Sequence, residues 1–183
     1  MSEPSPRLLA VTRFIDGFTD RIGNVVAWLM VLLVAVATYE VLARYVFHAP
    51  TMWAYDMIYM LYGSLFMLGA AYALLKGAHI RTDMLWEKYS DRKKGIVDSL
   101  AYVLFFFPAL ALLFFASIDD AFYSWRIGER SEQTAWQPII YPFKAVIPLA
   151  YLLLLIQGVS ELLKSFYAAR TGRAFERKTG GEI

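Results

Sequence analysis

In this 183-residue chain 58% of the residues are hydrophobic, above the roughly 45–50% apolar share of ordinary soluble domains, and the excess is gathered into four long runs. The net charge of +2 sits in short segments flanking those runs, which makes it a signal of membrane orientation and not of nucleic-acid binding. With no cysteine, disulfides, thiolate catalysis and cysteine-ligated metals are excluded.

In chain order, Leu8, Val11, Ile15, Phe18 and Ile22 recur at helical three- and four-residue steps, with Arg7, Arg13, Asp16 and Asp20 on the other face. Residues 7–21 therefore read either as an amphipathic helix in the inner headgroup layer or as an early start to the first span. The apolar run that follows Arg21 is longer than a signal-peptide core and lacks an A-x-A-like cleavage site, so it predicts a retained first span over residues 22–43. Near its end Glu40 and Arg44 have the spacing of an intrahelical ion pair, which either eases the helix end through the interface or lends one member to a partner helix. A small four-helix efflux pump would need its carboxylate at mid-span, and Glu40 is not there.

The first connection carries Tyr45, Phe47, Trp53 and Tyr55 around Pro50, an aromatic density suited to the headgroup level and to a short interfacial or re-entrant segment. The second span, residues 55–76, repeats small residues at Gly63, Ala70 and Gly77 and pairs Gly69 with Ala73, which predicts a face for close helix contact. In the next connection Ile80, Met84, Trp86 and Tyr89 interleave with Arg81, Asp83, Glu87 and Lys88, the pattern of a surface-lying segment.

The third span, residues 96–118, contains Pro108, and the fourth, residues 139–163, contains Pro148; each proline removes a backbone donor and predicts a modest kink. Between them Asp119, Asp120, Arg126, Glu129, Arg130 and Glu132 stand beside Trp125 and Trp136. This segment is either simply solvated or a docking loop for an extracytoplasmic protein, since complementary charges steer encounter and fix register. The polar residues 169–183 predict a mobile cytoplasmic tail.

Orientation follows from the cations. Arg7, Arg13, Arg21, Lys76, Arg81, Lys88, Arg92, Lys93, Lys94, Lys164, Arg170, Arg173, Arg177 and Lys178 fall on one side of a four-span chain. Arg44, Arg126, Arg130 and Lys144 fall on the other. The positive-inside rule makes the first side, with both termini, cytoplasmic. His48 and His79 then lie at opposite surfaces, separated by roughly 30 Å of hydrocarbon, so one haem cannot bridge them. No phosphate loop, nucleophile with its base or metal cluster is seen, and no catalytic, cofactor or metal residue is expected. A charge at mid-membrane costs roughly 2.5–3.5 kcal/mol and is tolerated where it works on an ion or substrate. The spans hold no such group at their centres, which points to a scaffold that serves a partner. The expected fold is all-α integral membrane: four transmembrane helices plus short amphipathic interfacial helices, both termini inside, one membrane domain over residues 1–183.

Three local patterns carry a resemblance. R-Y-V-F-H-A-P-T-M-W-A-Y-D at residues 44–56, G-A-A-Y-A-L-L-K-G-A-H-I-R-T-D at residues 69–83 and W-Q-P-I-I-Y-P-F-K-A-V-I-P-L at residues 136–149 together resemble the DctQ-like small membrane subunit of tripartite ATP-independent periplasmic (TRAP) transporters. Two departures stand out: His48 replaces a frequent Asn and Asp56 a common Glu. The resemblance implies an accessory subunit of a secondary uptake system for organic acids or related solutes, commonly sodium-coupled, in the bacterial inner membrane. Its implied partners are a large multi-span membrane subunit, a periplasmic solute-binding protein and membrane lipid. Arg44, Trp53, Asp56, His79 and Asp83 are the matched positions expected to fix the interfacial segments and the contact with the large subunit. The loop bearing Arg126, Glu129, Arg130 and Glu132 is the expected docking loop for the binding protein. Two other functions stay open on the residues alone, a membrane anchor for a respiratory or other enzyme complex and an autonomous small exporter or channel.

Overall fold

The computed structural model describes residues 5–77, 89–173 and 175. It is all-α, with four helices long and apolar enough to cross a membrane: α1 Pro6–Tyr45, α2 Ala54–Leu75, α3 Asp91–Ile127 and α4 Tyr141–Thr171. Among the described residues there is no strand, and an isolated bridge pairs Arg130 with Ile139. Residues 7–21 continue without a break into the first span, so α1 is one helix of 40 residues.

Both prolines lie inside helices, with different local outcomes. In α3 a π turn, Tyr102–Phe106, precedes Pro108, and the Phe107 N–H bonds to the Tyr102 carbonyl five residues back. A proline ring crowds the carbonyl four residues earlier, and a widened turn just ahead of it relieves that contact. Pro148 sits within α4 without interrupting it.

Left-handed residues close the helices. Gly77 (φ 70) follows α2, and its N–H bonds to the Leu74 carbonyl. Gly128 (φ 62) follows α3 in a Schellman arrangement, with Gly128 N–H on the Trp125 carbonyl and Glu129 N–H on that of Ser124. After α1 the left-handed position is held by His48 (φ 51), where Asn, Asp and His are the usual non-glycine residues. The departure at His48 from the expected Asn thus keeps a side chain suited to this backbone.

Packing divides the chain into two compact units. One comprises the described parts of Arg21–Ala70 and Leu113–Leu152. Its small apolar core is Val36, Ala54 and Leu61, with Leu29, Leu33, Trp53, Met57 and Ile58 against it. Gly63 lets α2 approach Phe143 of α4, whose ring also tilts onto Tyr59 with centroids 5.4 Å apart. The other unit comprises the described parts of Met1–Asp20, Ala71–Leu112 and Leu153–Ile183. There Gly95 of α3 lies against the backbone of Ser165, Ala168 and Ala169 on α4, and Gly158 of α4 lies against the Phe106 ring.

Polar side chains share the interior with small apolar ones, and many large apolar side chains lie outside. The largest fully buried side chains are Gln157, Thr12, Asp56, Ser124 and Ser160, whereas Trp28, Phe66, Leu112 and Phe115 are exposed. In water this arrangement would be unfavourable. In lipid, burying apolar surface between helices gains little, and hydrogen bonds and close backbone contact hold the helices together instead.

Candidate functional site

Two sets of buried polar side chains stand out, one in each unit. The first is organised around carboxylates near the turn from α1 to α2. Glu40 Oε1 accepts from Arg44 Nε at 3.0 Å, and its Oε2 accepts from the Thr51 N–H at 3.1 Å and from the Thr51 hydroxyl. The Thr51 hydroxyl oxygen in turn accepts from the Ala54 N–H at 3.3 Å, capping α2. Glu40, the more buried partner of the ion pair, is therefore the hub that fixes this elbow, and Arg44 is its exposed arm. Trp53 completes the elbow by stacking on Tyr39 at 5.7 Å.

Asp56, in the first turn of α2, is 1% exposed. Its carboxylate accepts from Ser131 Oγ at 2.5 Å and from the Thr134 hydroxyl, so it reaches the connection that follows α3. That connection is tied internally as well. Ser131 N–H bonds to the Pro138 carbonyl at 2.8 Å, Ile140 N–H to that of Glu129 at 3.1 Å, and Arg130 Nη1 to that of Gln137 at 3.2 Å. A buried carboxylate with two hydroxyl donors is satisfied, and removing it would orphan both.

Lys144 in the first turn of α4 lies 2.8 Å from Glu129 and 3.3 Å from Asp120. The Lys144 ammonium holds the Glu129 carboxyl below its ordinary value of 4.5. A lowered folded-state value means the pair stabilises fully above 4.5 and loses that contribution as pH falls through the lowered value. The gap in melting temperature between wild type and Glu129→Gln is expected to narrow on acidification through this window. A gap that stays constant with pH would show that the pair contributes nothing.

The second set joins α1 to α4. Asp16 Oδ1 accepts from Gln157 Nε2 at 3.1 Å and from Ser160 Oγ at 2.7 Å, while Thr19 Oγ1 donates to Gln157 Oε1 at 2.8 Å. Lys164 Nζ lies 2.8 Å from both Asp16 Oδ2 and Glu161 Oε1. Lys76, just after α2, pairs with Asp20 at 2.9 Å. Gln157, Ser160, Glu161 and Lys164 were not among the residues expected from sequence to carry function. Their spacing of three, one and three residues along α4 was the available signal.

Of the residues singled out in the sequence, Arg44, Trp53 and Asp56 cluster around the elbow and the connection after α3. His79 and Asp83 lie outside the described residues, as does most of the connection between α2 and α3. Gly63 faces Phe143, Ala70 is half-buried, Gly77 closes α2, and a side chain added at Gly69 would meet nothing within 4 Å. Arg126, Arg130 and Glu132 are exposed, while Glu129 turns in towards Lys144. Among the described residues no group of three His, Asp or Glu is placed to hold a metal ion.

A family model described as tripartite ATP-independent periplasmic transporters, DctQ component, matches residues 33–167. Glu40, Asp56, Gln157 and Lys164 fall inside that match, and Asp16 and Thr19 lie before it. No curated protein and no solved structure matches the chain.

Proposed function

The chain belongs to the family of DctQ components of tripartite ATP-independent periplasmic transporters, and from that premise we propose that it is the accessory scaffold of a secondary uptake system for organic acids or related small solutes. Membership makes it a small multi-pass membrane subunit that works with other TRAP subunits. In the proposed role it binds and stabilises the large translocating subunit in the bacterial inner membrane, both termini cytoplasmic. Solute recognition and sodium coupling then belong to the other components.

The observation that carries this reading is that three carboxylates, buried Asp56 and half-buried Asp16 and Glu40, are bonded to side chains of the same chain. Groups that serve a moving ion or solute must exchange partners, whereas groups locked together make joints. These joints support two units, each held by its own polar contacts, whose exposed apolar side chains face lipid and the large subunit. The connection after α3, tied to Asp56, supports a second role for exposed Arg126, Arg130 and Glu132 in docking the binding protein. Arg44, Trp53 and Asp56 would act by fixing the elbow, and His79 and Asp83 by contact with the large subunit.

The test is reconstitution in a host without TRAP uptake. Co-expression with a many-span TRAP membrane subunit and a periplasmic binding protein of the same system is expected to give uptake of a labelled organic acid. Omitting this chain is expected to reduce uptake to background. Unchanged uptake, with the large subunit still in the membrane, would refute the accessory role, as would transport by this chain alone in liposomes.

A further inference from the structure

The exposed side chains of α2 form a single line. Tyr55, Tyr59, Tyr62 and Phe66 are 48–68% exposed, and every other residue of Ala54–Leu75 is buried or half-buried. Steps of four, three and four residues keep the four on one helix face, over roughly 16 Å at the α-helical rise. The flanks of that face are taken up by this chain: Ala54 and Leu61 pack with Val36 of α1 on one side, and Gly63 lies against Phe143 of α4 on the other. One step of three beyond Phe66 the line reaches Gly69, where an added side chain would meet nothing within 4 Å. All of these residues belong to the unit built from Arg21–Ala70 and Leu113–Leu152.

The chemistry of the line separates it from a surface that meets lipid alone. Over residues 100–116 of α3 every exposed side chain is pure hydrocarbon, among them Val103, Leu104, Phe105, Leu112 and Phe115. On α2 three of the four carry a phenol hydroxyl, and among the described residues nothing accepts a hydrogen bond from them. The helix has 22 residues, close to the thickness of the hydrocarbon core, so Tyr62, roughly 10 Å further along the axis than Tyr55, stands at the level of acyl chains. Acyl chains offer a hydroxyl no acceptor. The rings are also held in place: Tyr62 stacks on Phe66 with centroids 6.4 Å apart, and Tyr59 tilts onto Phe143 at 5.4 Å. Rings already ordered lose little freedom on contact, and a tyrosine brings apolar area and a donor together, which is why it anchors protein interfaces. A lipid tail would use the rings and leave the hydroxyls without partners, whereas a helix with acceptors would use both. Resting on the accessory-subunit reading above, we propose that the Tyr55, Tyr59, Tyr62 and Phe66 face of α2 is the docking surface for a transmembrane helix of the large subunit, one that presents hydrogen-bond acceptors to Tyr59 and Tyr62.

The experiment is photo-crosslinking in membranes of the full chain co-expressed with the many-span TRAP membrane subunit of the same system. Benzoylphenylalanine in place of Tyr59, Tyr62 or Phe66 keeps an aromatic ring at an exposed position, and the same residue in place of Leu104 or Leu112 of α3 is the comparison. Adducts with the large subunit are expected from the α2 positions in clear excess over the α3 positions. Equal yields from the two helices, lipid adducts alone from α2, or adducts joining two copies of this chain would overturn the proposal. If the two proteins still co-purify, such a result removes this interface and leaves the accessory role standing; if they do not associate at all, both fall. The hydroxyls are tested by Tyr59→Phe with Tyr62→Phe, which keeps the rings. Two hydrogen bonds of the strength usual between membrane helices amount to roughly an eightfold change, so this double variant should bind the large subunit in detergent about that much more weakly. Melting of the isolated chain should not move, since neither hydroxyl has a partner within it. Binding as tight as that of wild type, or a loss of binding matched by a loss of stability in the isolated chain, would overturn the assignment.

Discussion

Replacing Lys164 by methionine is expected to destabilise the protein by about 3 kcal/mol, the scale on which breaking a buried ion pair is felt. The side chain is 9% exposed and its ammonium sits 2.8 Å from two carboxylates, those of Asp16 and Glu161. Methionine fills much of the same volume but leaves both carboxylates without that cation, the one on Glu161 in a buried position. The loss should be partly recovered by Asp16→Asn in the same chain, because an amide needs no counter-charge and still accepts from Ser160 or Gln157. Unfolding of the detergent-solubilised single and double variants forms the cycle that measures this coupling. Hydrogen-bonded pairs between membrane helices often measure less than 1 kcal/mol, since the unfolded chain in the bilayer also finds partners. A loss below about 1 kcal/mol would therefore place this set with ordinary interhelical bonds and deny it a special part in fixing the register of α1 on α4.

The four helices were legible because hydrocarbon imposes a length and a composition that the chain obeys. What joins them was less so. Thr12, Asp16 and Thr19 recur at steps of four and three on α1, and Gln157, Ser160, Glu161 and Lys164 form a matching stripe on α4. In water such stripes point outward, and on that logic Asp16 grouped with Arg7, Arg13 and Asp20 on a solvated face. In the structure Thr12 and Thr19 are buried, while Val11, Phe14 and Phe18 of the same segment are exposed. The sign of the pattern is inverted by the solvent, and near a helix end the sequence does not say which solvent applies. Asp56 was legible as a carboxylate at a helix start, but its partners Ser131 and Thr134 stand 75 and 78 residues away. No local pattern connects them. The π turn before Pro108 shows a further limit, since the proline predicted a distortion without saying which hydrogen bonds would rearrange to absorb it.

Gly95 lies in the basic stretch D-R-K-K-G-I-V-D-S at the start of α3, and it packs against the backbone of α4. An added Cβ there would sit 2.3 Å from Ala169 N, 2.6 Å from Ser165 O and 2.8 Å from Ala168 C, all of them backbone atoms. Backbone cannot rotate aside, so Gly95→Ala is expected to push α3 off α4 at a cost of about 3 kcal/mol, the upper end of overpacking effects, despite the gain of about 1 kcal/mol in helix propensity. Gly158→Ala meets Phe106 Cε1 at 2.4 Å, a ring that can turn but is flanked by Tyr102 and Phe107, so its cost should be intermediate. Gly69→Ala meets nothing within 4 Å and should be neutral or stabilising by up to about 1 kcal/mol. The three alanine variants, unfolded side by side in the same detergent, give an ordered series in which the chemistry of the change is constant and only the neighbour differs. If Gly95→Ala melts no lower than Gly69→Ala, the close approach of α3 and α4 is not what holds that unit together.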